Sequence, residues 1–181
     1  MSAGSQQLVV IRGNSGSGKT TLARDLQLAM GRGTANIGQD HLRRVVLREH
    51  DRPGGDNIGL IAATTRHCLA IGYHVILEGI LVSDHYRSML CELLDRHDGP
   101  TRVFYLDISL EESLRRHAGR SLAGEVSPGR LREWYRPRDV LDVPGEVTLD
   151  GSLPRQENLA LLRDHIGPVT PRPDTPDGLF L

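Results

Sequence analysis

The residues best suited to chemistry lie in Gly13-Asn14-Ser15-Gly16-Ser17-Gly18-Lys19-Thr20, a G-x-x-x-x-G-K-[ST] spacing whose chemistry is phosphate binding. Glycines at 13, 16 and 18 admit backbone conformations closed to residues with a Cβ, so successive N–H groups can turn inward around an anion. Lys19 would meet the β- and γ-phosphates as a mobile point charge, and the Thr20 hydroxyl would ligate Mg²⁺. Thr21 extends the same nucleotide-lining set. Composition points the same way. Of 22 Lys and Arg residues only Lys19 is a lysine, so the one ammonium side chain stands where the loop needs an ammonium. ATP or GTP with Mg²⁺ is the ligand pair this loop predicts.

Two carboxylates, Asp40 and Glu78, follow short runs that read as strands. In a sheet with helical crossovers, ligands bind beyond the carboxyl ends of the strands, and Asp40 takes such a place beside the phosphate loop. A hydroxyl that accepts a phosphoryl group needs a carboxylate to orient it and take its proton. Asp40 could equally cap a helix beginning at His41, and both roles can coexist. Glu78 ends its strand either as an acid that holds Mg²⁺ through water or as a contact to the acceptor; the sequence leaves both open. Arg43 and Arg44 follow Asp40 and could clamp an anionic substrate, with a solvated face as the alternative. Tyr86 is a further candidate for the acceptor site. Trp134 and Tyr135 either stack on a base or sugar ring or pin their segment to the core. His41, His67, His74, His85, His97 and His117 show no metal-ligand spacing.

Positioning these groups falls to strand patterns that alternate with helical ones, which predicts an α/β fold with a parallel sheet. The run 8–11 is the first strand, and Leu22, Ala23, Leu26, Ala29 and Met30 mark a helix ended by Gly31-Arg32-Gly33. Strand 35–38 leads into Gln39-Asp40, and a helix with Leu42, Val45, Val46 and Leu47 follows. Asp56 caps the next helix, which runs through Ile61, Ala62, Thr65, Cys68 and Leu69 to Gly72. Strand 74–77 ends in Glu78-Gly79. Ser83 or Asp84 caps a helix to about His97, and 102–106 is the fourth strand. Ser109 with Glu112 reads as a capping box. From Ala118 to about Pro144 the periodicity fails while Arg120, Arg130, Arg132, Arg136 and Arg138 accumulate, the composition of a lid. A strand at 146–149 and a helix from about 154 to 165 close the domain. One domain over 1–166, with its lid at about 118–144, and a Pro-rich tail over 167–181 are expected.

The formal net charge of −1 advertises neither nucleic acid nor an anionic membrane, although a local basic groove remains open. Residues 1–7 lack a basic-then-apolar leader pattern, and no apolar run approaches the roughly 20 residues that span a bilayer. A cytoplasmic protein, monomeric or homodimeric, is expected. Cys68 and Cys91 are expected as buried free thiols rather than a disulfide.

Taken together, the loop 13–20, Gln39-Asp40, Glu78-Gly79 and Glu112-Ser113-Leu114-Arg115-Arg116-His117 with the Arg-bearing segment after it resemble the small P-loop kinases over roughly residues 7–166. That group includes gluconate and shikimate kinases, chloramphenicol phosphotransferase, the zeta toxins and polynucleotide-kinase-like proteins. The resemblance implies a P-loop NTPase fold with a five-stranded parallel sheet in the order 2-3-1-4-5, helices on both faces and an Arg-rich lid. It also implies transfer of the nucleotide γ-phosphate to an acceptor hydroxyl. Relatives with an Asp after the second strand use it as the base, which falls on Asp40. Arg116 and Arg120 lie where lid arginines of such kinases meet the phosphates and stabilise charge on the transferring group.

A regulatory GTPase would need a second Lys in its guanine-reading motif, and there is none. An oligomeric nucleotide-driven motor needs a helical second domain for which the chain leaves no room. A polynucleotide 5′-hydroxyl kinase and a zeta-toxin-like nucleotide-sugar kinase share the same parts and stand as alternatives to a small-molecule kinase. Use of Arg over Lys fits an antibiotic-producing type of genome, so a self-resistance or secondary-metabolite kinase is the leading expectation.

Overall fold

Five short runs pair in register into one parallel sheet, in the order β2-β3-β1-β4-β5. In the computed structural model, residues 6–118 and 127–171 are described. The strands are β1 (Leu8–Gly13), β2 (Thr34–Gly38), β3 (His74–Glu78), β4 (Thr101–Asp107) and β5 (Glu146–Asp150). Every residue of β1 is buried, as a central strand covered on both faces must be, and this is why Leu8 to Ile11 read as unbroken apolar sequence rather than as an alternation.

Strand alternation sorts the core into two layers. Leu8 and Val10 face α2 (Asp56–Ala70) and α3 (Ser83–Asp95), where Ile61, Tyr86, Leu90 and Leu93 pack. Val9 and Ile11 face α1 (Lys19–Met30) and α6 (Arg155–Ile166), where Leu22, Leu26, Leu162 and Ile166 pack. Each such aliphatic side chain contributes roughly 1.5–3 kcal/mol by leaving water. The remaining helices are α4 (Leu110–Ala118) and α5 (Pro128–Trp134). Among the described residues no helix is long and apolar enough to cross a membrane.

Several local expectations need correction. The helix expected with Leu42, Val45, Val46 and Leu47 is a π-helical segment, His41–Leu47, with no buried residue; Val45 and Val46 stand exposed and of the four only Leu42 packs against the core. Three consecutive apolar residues cannot share one helical face, so they cannot all turn inward. Asp56 is the first residue of α2 behind Gly55 and makes no capping bond. Ser83 and Asp84 do not cap α3 either; Val82 holds that position, and the Ser83 N–H donates to the Asp139 carboxylate at 2.9 Å. The capping box is half made: the Glu112 N–H donates to Ser109 Oγ at 3.1 Å, while the Glu112 carboxylate turns to Arg115 and Arg116. Helix α5 interrupts the stretch expected to be aperiodic, with Ser127 Oγ accepting from the Arg130 N–H and Pro128 in the first turn. Cys68 and Cys91 are free thiols, half-buried rather than buried.

Candidate functional site: a phosphate loop with an acidic flank

The loop joins the buried end of β1 to the first turn of α1. Gly13 has φ +144°, and a Cβ there would collide with the Leu106 carbonyl of β4, so β1 can run this close to β4 only with glycine. Gly18 precedes α1 in the left-handed region at φ +95°, presenting the helix N-terminus to the loop interior. Lys19 is only 7% exposed. Its Nζ donates to the Asn14 carbonyl at 2.8 Å and to Ser17 Oγ at 3.3 Å. The loop is braced from α4: Ser113 Oγ donates to the Ser15 carbonyl at 2.6 Å, and Arg116 Nη1 to the Gly16 carbonyl at 3.3 Å. Glu112 orients that arginine through its Nε, and its carboxyl is held down to about 2 by Arg115 and Arg116. Thr21 is exposed on the first turn of α1.

Thr20 Oγ1 donates to Glu78 Oε2 at 3.1 Å, joining the loop to the end of β3. Glu78 is buried, and burial pushes its carboxyl above the ordinary range against the opposing pull of Lys19 and Thr20; the charge of Asp40 adds to the rise. Asp40 therefore lies within electrostatic reach of Glu78. Asp40 has helical backbone angles and makes no capping bond, so its possible role as a cap is set aside. Its carboxylate is 60% exposed and accepts from Arg43 Nη2 at 2.6 Å. Arg43 also donates to the Glu49 carbonyl at 3.2 Å, so this guanidinium is engaged by the protein itself.

Tyr86 requires a correction. It is wholly buried, its hydroxyl bonded to Gln39, Asn57 and Asp51, so it touches no acceptor and can act only through those neighbours. Trp134 is 49% exposed at the end of α5. Arg120 lies outside the described residues.

Sequence reasoning missed Arg12. Its guanidinium is fully buried beside the loop; Nε and Nη2 donate to the Leu81 carbonyl at 3.1 and 2.9 Å, Nη2 to Asp139 Oδ2 at 2.9 Å, and Nη1 to the Asp139 carbonyl at 2.8 Å. Glu146 stands 3.5 Å away. Leu81 itself is buried with φ +44°, a left-handed conformation held by its N–H to Gln39 Oε1 and its carbonyl to Arg12. The segment after α5 is tied to the loop as well. Asn14 Nδ2 donates to the Arg136 carbonyl at 2.7 Å, and the Arg136 N–H donates to Asn14 Oδ1 at 2.9 Å. Tyr105 OH accepts from Asn14 and from the Asp139 N–H. The signal was available: a cation at the end of an otherwise apolar central strand has to find buried acceptors.

A family model described as AAA domain matches residues 8–144. No curated protein matches the sequence well enough to count as a relative. Solved structures share the fold at low identity. An unliganded sugar kinase from Janibacter sp. is 20% identical, covering 92% of this chain and 99% of that one with a TM-score of 0.70. A gluconokinase from Sinorhizobium meliloti is 21% identical, covering 90% and 94% with a TM-score of 0.60. The Mycobacterium tuberculosis APS kinase CysC, solved with AMPPNP and APS, is 18% identical, covering 90% and 98% with a TM-score of 0.67. These likenesses carry the architecture, a P-loop NTPase fold. The family match goes further, because it runs from β1 past α5 and takes in the loop, Asp40, Glu78 and Arg116: the chain belongs to the AAA domain family.

Proposed function

We propose that the chain is a nucleoside-triphosphate-dependent phosphotransferase that moves the γ-phosphate of ATP or GTP to a hydroxyl of a small molecule, an antibiotic or other secondary metabolite. The observation that carries this reading is the junction of Lys19, Thr20 and Glu78. The ammonium is kept inside the loop on the loop's own oxygens, poised to exchange them for β- and γ-phosphate oxygens. Thr20 and Glu78 offer hard oxygen donors 3.1 Å apart, a donor set that suits Mg²⁺. Mg²⁺ held there would neutralise phosphate charge.

The chain's own groups supply the rest. Asp40, exposed and steadied by Arg43, takes the acceptor proton. Lys19 and Arg116 stabilise charge on the transferring phosphoryl oxygens, with Arg120 assigned the same part. Trp134, half-exposed beyond the loop, is assigned to the acceptor side.

The test is a product-mass screen with ATP or GTP and Mg²⁺ over nucleosides, aminoglycosides, sugar acids and a 5′-hydroxyl oligonucleotide. One acceptor should gain a single phosphate. Lys19→Ala should lower turnover on the order of 10²-fold or more with the fold intact. Lys19→Arg should also fail, because a planar guanidinium does not replace a compact charge inside a closed loop. Full activity in Lys19→Arg would sink the assignment.

A further inference from the structure

The connection between the π-helical segment and α2, residues 48–55, has no regular secondary structure, yet one of its side chains is held from several sides. Asp51 Oδ2 accepts from Gln39 Nε2 at 3.1 Å, and Oδ1 accepts from Tyr86 OH at 2.9 Å. His85 Nδ1 lies 3.2 Å from Oδ1. Behind the carboxylate the network has a direction. Tyr86 OH accepts from Gln39 Nε2 at 2.8 Å and from Asn57 Nδ2 at 2.7 Å, so its own proton goes to Asp51. Gln39 Oε1 is taken by the Leu81 N–H at 3.0 Å. Gln39, Asn57 and Tyr86 are all buried, while Asp51 and His85 keep 28% and 22% of their side chains exposed.

Tethering a loop needs one hydrogen bond. A buried glutamine and a buried tyrosine donate to one accessible carboxylate, and a buried asparagine fixes the tyrosine hydroxyl behind it, which is the supporting shell of a binding group. Its place fits. Gln39 directly precedes Asp40, and its side chain packs so closely on Gly79 that a Cβ there would collide with it. Gly79 follows Glu78, which is bonded to Thr20 of the phosphate loop.

We propose that Asp51 and His85 form the acceptor-recognition pair of this site and take an uncharged or cationic polyhydroxylated molecule, a reading that rests on the phosphotransferase assignment. An ionised carboxylate only accepts hydrogen bonds. With His85 Nδ1–H donating to it, the ring presents Nε2, which has no partner among the described residues, as a second acceptor. Two outward acceptors complement hydroxyl or ammonium donors and repel phosphate, sulfate or carboxylate groups. Arg43, which could otherwise serve an anionic acceptor, is engaged by Asp40 and Glu49.

The experiment offers the protein ATP and Mg²⁺ with adenosine, trehalose and kanamycin on one side and gluconate and glucose 6-phosphate on the other. Nucleotide binding is followed separately by calorimetry. Transfer should go to a neutral or cationic member. Asp51→Asn should raise KM for that acceptor ~10-fold or more, with kcat and the nucleotide KM within about twofold, and His85→Gln should act in the same direction. Where Asp51→Asn does not fold, His85→Gln carries the same readout. Preference for an anionic member, an unchanged acceptor KM in the variants, or no transfer to any neutral or cationic member by a protein that binds ATP and Mg²⁺ overturns the proposal. Absence of nucleotide binding would instead remove the phosphotransferase reading beneath it.

Discussion

Arg12→Ala should be among the most destabilising substitutions in the chain. The guanidinium is fully buried and serves the Leu81 carbonyl twice, the Asp139 carbonyl and the Asp139 carboxylate, with Glu146 at 3.5 Å. Burial pulls the pKa of Arg12 down and the two carboxylates pull it back, so the cation is retained at a desolvation cost that its partners offset. Deleting one partner of a buried pair costs about 3–5 kcal/mol, because the other charge is left uncompensated. Asp139 keeps donors from Ser83, and Glu146 keeps the Leu141 and Asp142 N–H groups. The Leu81 carbonyl keeps neither of its two guanidinium bonds, and the left-handed turn at Leu81 loses one of its two supports. For a chain of this length 1 kcal/mol moves Tm by roughly 2–4 °C, so a fall of about 6–20 °C is expected. Urea unfolding should show the midpoint moving at constant slope. Glu146→Gln gives up the 3.5 Å contact to Arg12 and sets an amide NH2 against either the Leu141 or the Asp142 N–H, so it should cost about 1–3 kcal/mol, less than Arg12→Ala. An Arg12→Ala protein within about 1 kcal/mol of the parent would refute the claim that this network holds the turn.

Glu78→Gln should stabilise the protein at neutral pH while lowering turnover. Burial raises the folded pKa of Glu78, so this group's contribution is fully present below its unfolded value of about 4.3 and is lost as pH rises through the folded pKa. The amide keeps an oxygen for Thr20 without the buried charge, so calorimetry should show a higher Tm for the variant at pH 7 and a vanishing difference near pH 4; a lower Tm at pH 7 would refute this. Asp40→Asn removes neither a cap nor a buried group, so its stability should change by less than ~0.5 kcal/mol. Its kcat should fall on the order of 10²-fold with nucleotide affinity kept, and unchanged turnover would mean that Asp40 takes no proton.

What could be read from the sequence was what neighbouring residues decide among themselves. The loop 13–20 encodes its glycines, its ammonium and its hydroxyl within eight consecutive residues. The central strands β1 and β3 announced themselves because burial on both faces favours apolar residues there, whereas the edge strands β2 and β5 are only partly buried and carry polar residues. The Ser127-Pro128 start of α5 was equally local and was overlooked inside an Arg-rich stretch that suggested irregularity. The segment with Leu42, Val45, Val46 and Leu47 is helical as expected but of the π type, and its apolar residues are not a buried face, since Val45 and Val46 stand exposed.

The remaining features depend on partners that no local pattern reveals. Arg12 meets Leu81 across 69 residues and Asp139 across 127, and Tyr86 meets Gln39 across 47. Tyr86 stood as a candidate for the acceptor site; in the fold its hydroxyl is spent on orienting Asp51. The same holds for α3, whose first N–H is satisfied not by Ser83 or Asp84 but by Asp139 from the far side of α5. Asp139 thus stands between the start of α3 and, through Tyr105 and Asn14, the phosphate loop. A displacement of the segment after α5 cannot leave either side untouched, because the same partly buried carboxylate would have to abandon Arg12 and Ser83 together, leaving the buried guanidinium with only the Leu81 carbonyl and the more distant Glu146.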